Sequence, residues 1–171
     1  MTTQRAEYFD TPLGPMLAVV NDAGQLTRLD FSKGRSRARF EQEEPELKFD
    51  ARACATVRRQ TTEYFRGRRR DFDLDVAPVG TEFQCKVWRT LLDIPYGETW
   101  SYGQLARRIR KPTASRAVGA ANGKNPIAII IPCHRVIGSN GTLTGYGGGL
   151  SKKEKLLELE GALPDATGSL F

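Results

Sequence analysis

Residues 127–131 read Ile-Ala-Ile-Ile-Ile and run straight into Pro132. Four isoleucines in five residues predict a fully buried strand, and the proline predicts a rigid stop at its end. Such a segment constrains the fold because the rest of the chain has to cover it. Directly behind the stop stand Cys133 and His134, and His134 is the only histidine present. A thiol and an imidazole both change protonation state near neutral pH, which suits them to chemistry. Adjacent residues seldom bond side chain to side chain, so a water or a third residue would have to link them. An inert buried thiol beside a hydrogen-bonded histidine is the ordinary alternative, and the surrounding sequence has to decide.

Charge narrows the partner. Residues 1–80 carry 14 Lys and Arg against 13 Asp and Glu, while residues 81–171 carry 12 against 7. The basic excess therefore sits in the half that holds Cys133, and a polyanion such as nucleic acid is the natural partner. Cys54, Cys85 and Cys133 are an odd number without a CxxC spacing. That argues against a disulfide framework and against a structural zinc site. No apolar run of membrane-spanning length and no signal-peptide core occur, so an intracellular, cytoplasmic protein without a membrane anchor is expected.

Patterning divides the chain at Pro78-Val-Gly80 into an N-terminal domain (1–80) and a C-terminal domain (81–171). In the first, residues 7–10, 16–21 and 26–31 predict strands separated by turn-like segments. Residues 32–48 read as a polar loop, 49–66 as a helix capped by Gly67, and Phe72, Leu74 and Val76 alternate like another strand. In the second, Thr81-Glu-Phe-Gln84, Ser101-Tyr-Gly-Gln104 and Ser151-Lys-Lys-Glu154 are three capping boxes opening helices. Thr113 is placed to cap a further helix running to about Lys124 after the break at Lys111-Pro112. The pair of short helices joined by a tight turn is a helix-turn-helix signature.

That last helix has an unusual surface. At 100° per residue, Ala117, Val118 and Ala121 share one face and are expected to pack inward. Arg116, Gly119, Ala120 and Gly123 share the other. One long cation on a smooth, small-residue face permits close approach of another backbone, such as duplex DNA; tight packing between neighbours with Arg116 in an ion pair is the alternative. Gly145 to Gly149 must be a loop. Glu160 lies three and four positions after Leu157 and Leu156, so it projects toward the buried side, where His134 can serve as its donor. Residues 162–171 read as a loose tail.

Pro132-Cys-His-Arg-Val-Ile137 followed by Gly145-Tyr-Gly-Gly-Gly-Leu150 resembles the active-site region of the 6-O-alkylguanine-DNA alkyltransferases of bacterial type, the methylated-DNA–protein-cysteine methyltransferases. Arg116-Ala-Val-Gly119, Asn125-Pro126 and Tyr96-Gly-Glu-Thr-Trp-Ser-Tyr102-Gly match in order and spacing. The resemblance is strong over residues 81–161 and loose before them.

It implies an α/β (α+β) protein. A small ribonuclease H-like domain with an antiparallel sheet would precede a mainly helical, winged helix-turn-helix-like domain. It further implies direct reversal of DNA damage: a monomer binds double-stranded DNA containing alkylated guanine, flips the base out of the stack and moves the alkyl group irreversibly from the guanine oxygen to Cys133. Thymine alkylated on its 4-oxygen would react less readily, and no cofactor or metal is expected.

By position, His134 would take the thiol proton through a water, Glu160 would orient and charge-stabilise His134, and Asn125 would brace the turn before the active site. Arg116 would replace the flipped base in the stack, with Ser115, Ala117, Ala120, Gly123, Lys124 and Arg135 along the DNA-binding surface. Tyr102 would crowd the target phosphate and contact the guanine. Asn122, Val136, Tyr146, Gly147 and Gly148 would line the base pocket. Gly147 stands where some relatives carry a hydroxyl residue, which leaves backbone contacts alone at that position. A non-catalytic alkyl-lesion binder is the alternative, and the presence of Cys133 counts against it. A helix-turn-helix regulator would need base-reading side chains that this helix lacks, and a cysteine hydrolase would turn over repeatedly.

Overall fold

The computed structural model describes residues 3–163. The residues beyond 163, which hold most of the expected tail, lie outside them. The chain divides into two compact units, Met1–Val79 and Gly80–Phe171.

In the first unit, β1 (Gln4–Phe9), β2 (Met16–Val20) and β3 (Leu26–Phe31) form an antiparallel meander, where short segments separated by turns predict strands. The span expected to be a loop instead folds into α1 (Arg37–Glu43) and β4 (Leu47–Phe49), and β4 pairs parallel with β1 to give the order β3-β2-β1-β4. Apolar periodicity is missing there because α1 buries only Phe40. The helix is held by a cap in which the Ser36 side chain accepts from the Arg39 N–H, and by Arg37–Glu41 and Arg39–Glu43 pairs one turn apart. Phe40 joins Ala6, Leu17, Val19 and Leu47 in one core cluster.

The next helix, α2 (Ala55–Phe65), starts later than its composition suggests. Phe49 belongs to β4, and the Asp50 carboxylate accepts from the Arg52 N–H at 3.0 Å, which turns the chain before the helix can begin. Gly67 closes α2 with φ +72°, as expected. Residues 72–76 do not form a strand. Their alternation is real, but only Val76 bridges, in parallel to Leu26. The backbone of Asp73 is satisfied by the Gln60 side chain instead, which donates at 3.1 Å and accepts at 2.9 Å.

The second unit opens with α3 (Glu82–Leu91), whose Thr81–Gln84 capping box is formed in both directions. Its buried face carries Val87, Trp88 and Leu91. After it come β5 (Trp100–Ser101), α4 (Tyr102–Arg108) with the second complete capping box at Ser101, and α5 (Ser115–Gly123). Helices α4 and α5 are the expected helix-turn-helix. Arg110, at φ +62°, makes the turn between them. Thr113 does not cap α5: the Ala114 N–H bonds the Lys111 carbonyl, and this tight turn makes Ala114 the N-cap. The face α5 buries is Val118, Ala121 and Asn122, so Ala117 points outward, contrary to expectation. Sequence reading missed the tie from α3: the Trp88 indole N–H donates to the Ala121 carbonyl at 2.8 Å.

Beyond α5, β6 (Val136–Ile137) pairs parallel with β5, and α6 (Leu150–Leu159) is the last helix among the described residues. Helix α6 begins after Gly149 at φ +101°, without a side-chain cap, so the box expected at Ser151 is not formed. Gly161, at φ +71°, ends it as expected.

Candidate active site

The isoleucine run is buried as predicted, but it is not a strand. Its backbone turns twice, with the Ile130 N–H bonded to the Ala128 carbonyl at 2.8 Å and the Ile131 N–H to the Ile127 carbonyl at 3.1 Å. Ile129 is forced to φ +71°, which costs a branched residue about 1–2 kcal/mol. Asn125 holds this conformation. Its amide donates to the carbonyls of Ile127 (3.2 Å) and Ile131 (2.8 Å), and its oxygen accepts from the Ile127 N–H (3.0 Å). Asn125 and the two backbone turns thus satisfy polar groups of the buried segment that a partner strand would otherwise pair. Pro132 then starts a single 3-10 turn, Cys133–Arg135.

That turn presents three consecutive chemical groups in a nearly dry setting. Cys133 is 7% exposed and His134 is fully buried. His134 Nε2 lies 2.7 Å from Glu160 Oε2, the partner expected from the spacing on α6. Arg135 departs from expectation. Placed on the DNA surface by resemblance, it is buried instead, donating from Nε to Glu160 Oε1 at 2.7 Å, from Nη2 to Oε2 at 3.1 Å and from Nη1 to the Ile94 carbonyl at 2.7 Å. A carboxylate drawn inward beside an arginine takes the fork, and the fork removes the cation from the surface.

Burial opposes charge on Glu160, but the imidazole and the guanidinium outweigh it and hold the carboxyl at about 2. Burial pulls the His134 imidazole below its ordinary value; Glu160 works against that, while Arg135 and Lys153 reinforce it. An ionised carboxylate only accepts, so Nε2 carries the proton and donates to Glu160. Nδ1 is then a bare lone pair. It is buried and makes no hydrogen bond among the described residues.

Lys153 was not anticipated. It is fully buried on α6, and its ammonium donates to the carbonyls of Val136 (2.6 Å), Thr144 (2.8 Å) and Gly145 (3.3 Å). Burial lowers it to about 8, against the pull of the Cys133 sulfur. The signal was legible: Lys153 lies three and four positions before the buried Leu156 and Leu157, on the apolar face. Cys54, by contrast, is enclosed in the first unit, and burial together with Glu7 and Asp50 pushes its thiol up to about 12.

Around the turn, Asn122 donates to the Cys133 carbonyl at 3.3 Å. The Tyr102 hydroxyl donates to the Thr144 carbonyl at 3.0 Å, so α4 and the glycine loop meet at one backbone oxygen with Lys153. Val136 is fully buried, Tyr146 and Gly148 are half-buried and Gly147 is exposed. On α5, Arg116, Ala117, Ala120, Gly123 and Lys124 are exposed and Ser115 is half-buried. Among the described residues no cluster of three or more His, Cys, Asp or Glu side chains is placed to hold a metal ion, and no helix is long and apolar enough to cross a membrane.

Comparison with known proteins agrees over nearly the whole chain. Residues 82–162 match the family model of the 6-O-methylguanine DNA methyltransferase DNA-binding domain, and residues 5–78 that of the ribonuclease-like domain of the same proteins. The methylated-DNA–protein-cysteine methyltransferase of Methanosarcina barkeri is 52% identical, covering 90% of this chain and 95% of its own. The protein of that name from Mycobacterium tuberculosis is 46% identical, covering 95% of each. The crystal structure of the M. tuberculosis O6-methylguanine methyltransferase superposes with a TM-score of 0.82 at 44% identity, over 97% of this chain and 96% of that one. The M. tuberculosis protein in complex with DNA gives 0.80 at 46% identity, over 93% and 92%. The chain belongs to the 6-O-methylguanine DNA methyltransferase family, the methylated-DNA–protein-cysteine methyltransferases.

Proposed function

We propose that the chain repairs alkylated DNA by moving the alkyl group from the 6-oxygen of guanine to Cys133, once per molecule. The observation that carries this is the buried His134–Glu160 pair at 2.7 Å with Cys133 next in the chain. A fixed donor on one side of the imidazole leaves its other nitrogen available as a base. The thiol proton passes through a bridging water to His134 Nδ1. Sγ attacks the alkyl carbon, the carbon–oxygen bond breaks, and its electron pair goes to the guanine oxygen. The proton then neutralises the guanine. A thioether remains on the protein, and nothing in the site can cleave it, so the reaction stops after one transfer.

In this reading residues 1–80 are the ribonuclease H-like domain and residues 81–171 the DNA-binding and catalytic domain. Double-stranded DNA lies along the exposed small-residue face of α5, with Arg116 taking the place of the everted base and Tyr102 beside its phosphate. Asn122, Val136, Tyr146, Gly147 and Gly148 surround the base. The protein acts as a cytoplasmic monomer and needs no cofactor. Arg135 has no part in DNA contact.

Cys133→Ser tests the assignment. The variant loses transfer and keeps its affinity for a duplex containing 6-O-methylguanine. Loss of both would make Cys133 a structural residue and overturn the reading.

A further inference from the structure

We propose that Arg135 is a positioning residue that fixes the tautomer and the neutral charge of His134 by claiming the charge of Glu160. This rests on the reading of Cys133 as nucleophile and adds to it the group that keeps the base available.

The geometry leaves Glu160 no choice of state. Both its oxygens sit in the Arg135 fork, at 2.7 and 3.1 Å, and Arg135 Nη1 is anchored on the Ile94 carbonyl at 2.7 Å. The Tyr96 ring lies 5.7 Å from the guanidinium. An arginine does not give up its proton in a protein. A carboxylate locked to it stays ionised and can only accept, so Nε2 of His134 must donate.

Burial and charge together then decide the state of the ring. The charged groups acting on the imidazole are Glu160 and Lys153 from α6 and Arg135 from its own turn, and the Cys133 thiol is its neighbour in the chain. Two cations and one carboxylate already give that cluster one excess positive charge. An imidazolium would add a second inside a fully buried site, whereas a thiolate on Cys133 would bring the sum to zero. Burial is the first force against an imidazolium here, and Glu160 is the force toward it. Without Arg135, the full charge of Glu160 at 2.7 Å would act on the ring, opposed by burial and Lys153 alone, and Nδ1 would take up a proton more readily before any substrate arrived. Glu160 orients the ring; Arg135, by holding both carboxylate oxygens, adds to burial in keeping it unprotonated.

Because His134 is the only histidine, two nitrogen resonances report it without ambiguity. The intact chain labelled with 15N-histidine is titrated by NMR between about pH 5.5 and 8, the range where a free imidazole changes charge. Wild type shows the neutral Nε2–H tautomer throughout. In Arg135→Met the imidazolium midpoint rises by about 1–3 pH units, the range for removing a cation at this distance. Arg135→Lys keeps a charge without the fork, and its midpoint rises less; if the methionine variant does not fold, lysine carries the comparison. An imidazolium or an Nδ1–H tautomer in wild type at neutral pH, or an unmoved midpoint in the variants, overturns the proposal. Alkylation of Cys133 is followed separately by mass. Transfer with the wrong tautomer refutes Arg135's role alone, and no transfer with the expected tautomer refutes the repair reading alone.

Discussion

Replacing Glu160 by glutamine removes one charge and almost no volume, so its effects trace to electrostatics. The carboxyl titrates at about 2 against 4.5 for an unperturbed glutamate. At about 1.4 kcal/mol for each tenfold in proton affinity, that difference corresponds to about 3 kcal/mol of stability at neutral pH. The folded value lies below the unfolded one, so the contribution is complete above pH ~4.5 and is lost as pH falls toward ~2; about 1.4 kcal/mol remains at pH 3. The Arg135 pairing is one of the causes of that shift, so the loss of its counter-charge in the glutamine variant is part of the same ~3 kcal/mol and is not added to it. Both tryptophans, Trp88 and Trp100, lie in the second unit, so denaturant unfolding followed by tryptophan fluorescence reports that unit. The wild-type advantage is expected to be about 3 kcal/mol at pH 7 and to shrink by roughly half at pH 3. The glutamine amide would also donate toward Nε2 and move the imidazole proton to Nδ1. Single-turnover transfer should therefore slow by about 10²–10⁴, the usual worth of a general base. A gap under about 1 kcal/mol, or one that does not change with pH, would refute the claim that an ionised Glu160 is held by Arg135 and His134.

Three further outcomes follow from named contacts. Asn125→Ala strips three hydrogen bonds from a buried turn, and stability should fall by about 2–4 kcal/mol with transfer nearly abolished; wild-type denaturation midpoints would show the turn holds itself. Lys153 titrates at about 8 in the fold against 10.5 when unperturbed. The unfolded chain therefore binds more protons between those values, and wild type should gain stability relative to Lys153→Met as pH rises from about 8 to 10.5. A flat difference across that range would mean the ammonium is not buried in solution. Arg116→Ala should slow repair of a paired duplex far more than reaction with a free alkylguanine base. Equal losses would remove Arg116 from the flipping step.

Local chemistry was legible wherever a side chain makes its own structure. The boxes at Thr81 and Ser101 form because the threonine or serine and the glutamine three residues on satisfy each other, independent of the rest of the chain. Ser151 failed the same reading because Gly149 starts α6 earlier and leaves Ser151 inside the helix. Burial of residues 127–131 was legible from composition, but their conformation was not. It depends on Asn125 reaching six residues ahead to the Ile131 carbonyl, a link that periodicity does not carry. Glu160 meeting His134 could be inferred from the apolar face of α6. The place of Arg135 could not, because a basic residue in a basic half reads as surface until its carboxylate is located. Helix α1 escaped because ion pairs and one phenylalanine hold it, with no apolar stripe to mark it.

The most direct test of the central claim is the intact mass of the protein after incubation with a duplex bearing one 6-O-methylguanine, followed by peptide mapping. A single methyl increment per molecule, located on Cys133, is expected, with the lesion restored to guanine in equal amount. Unmodified protein with many lesions repaired, a methyl group on Cys54 or Cys85, or tight binding with no increment would each contradict it.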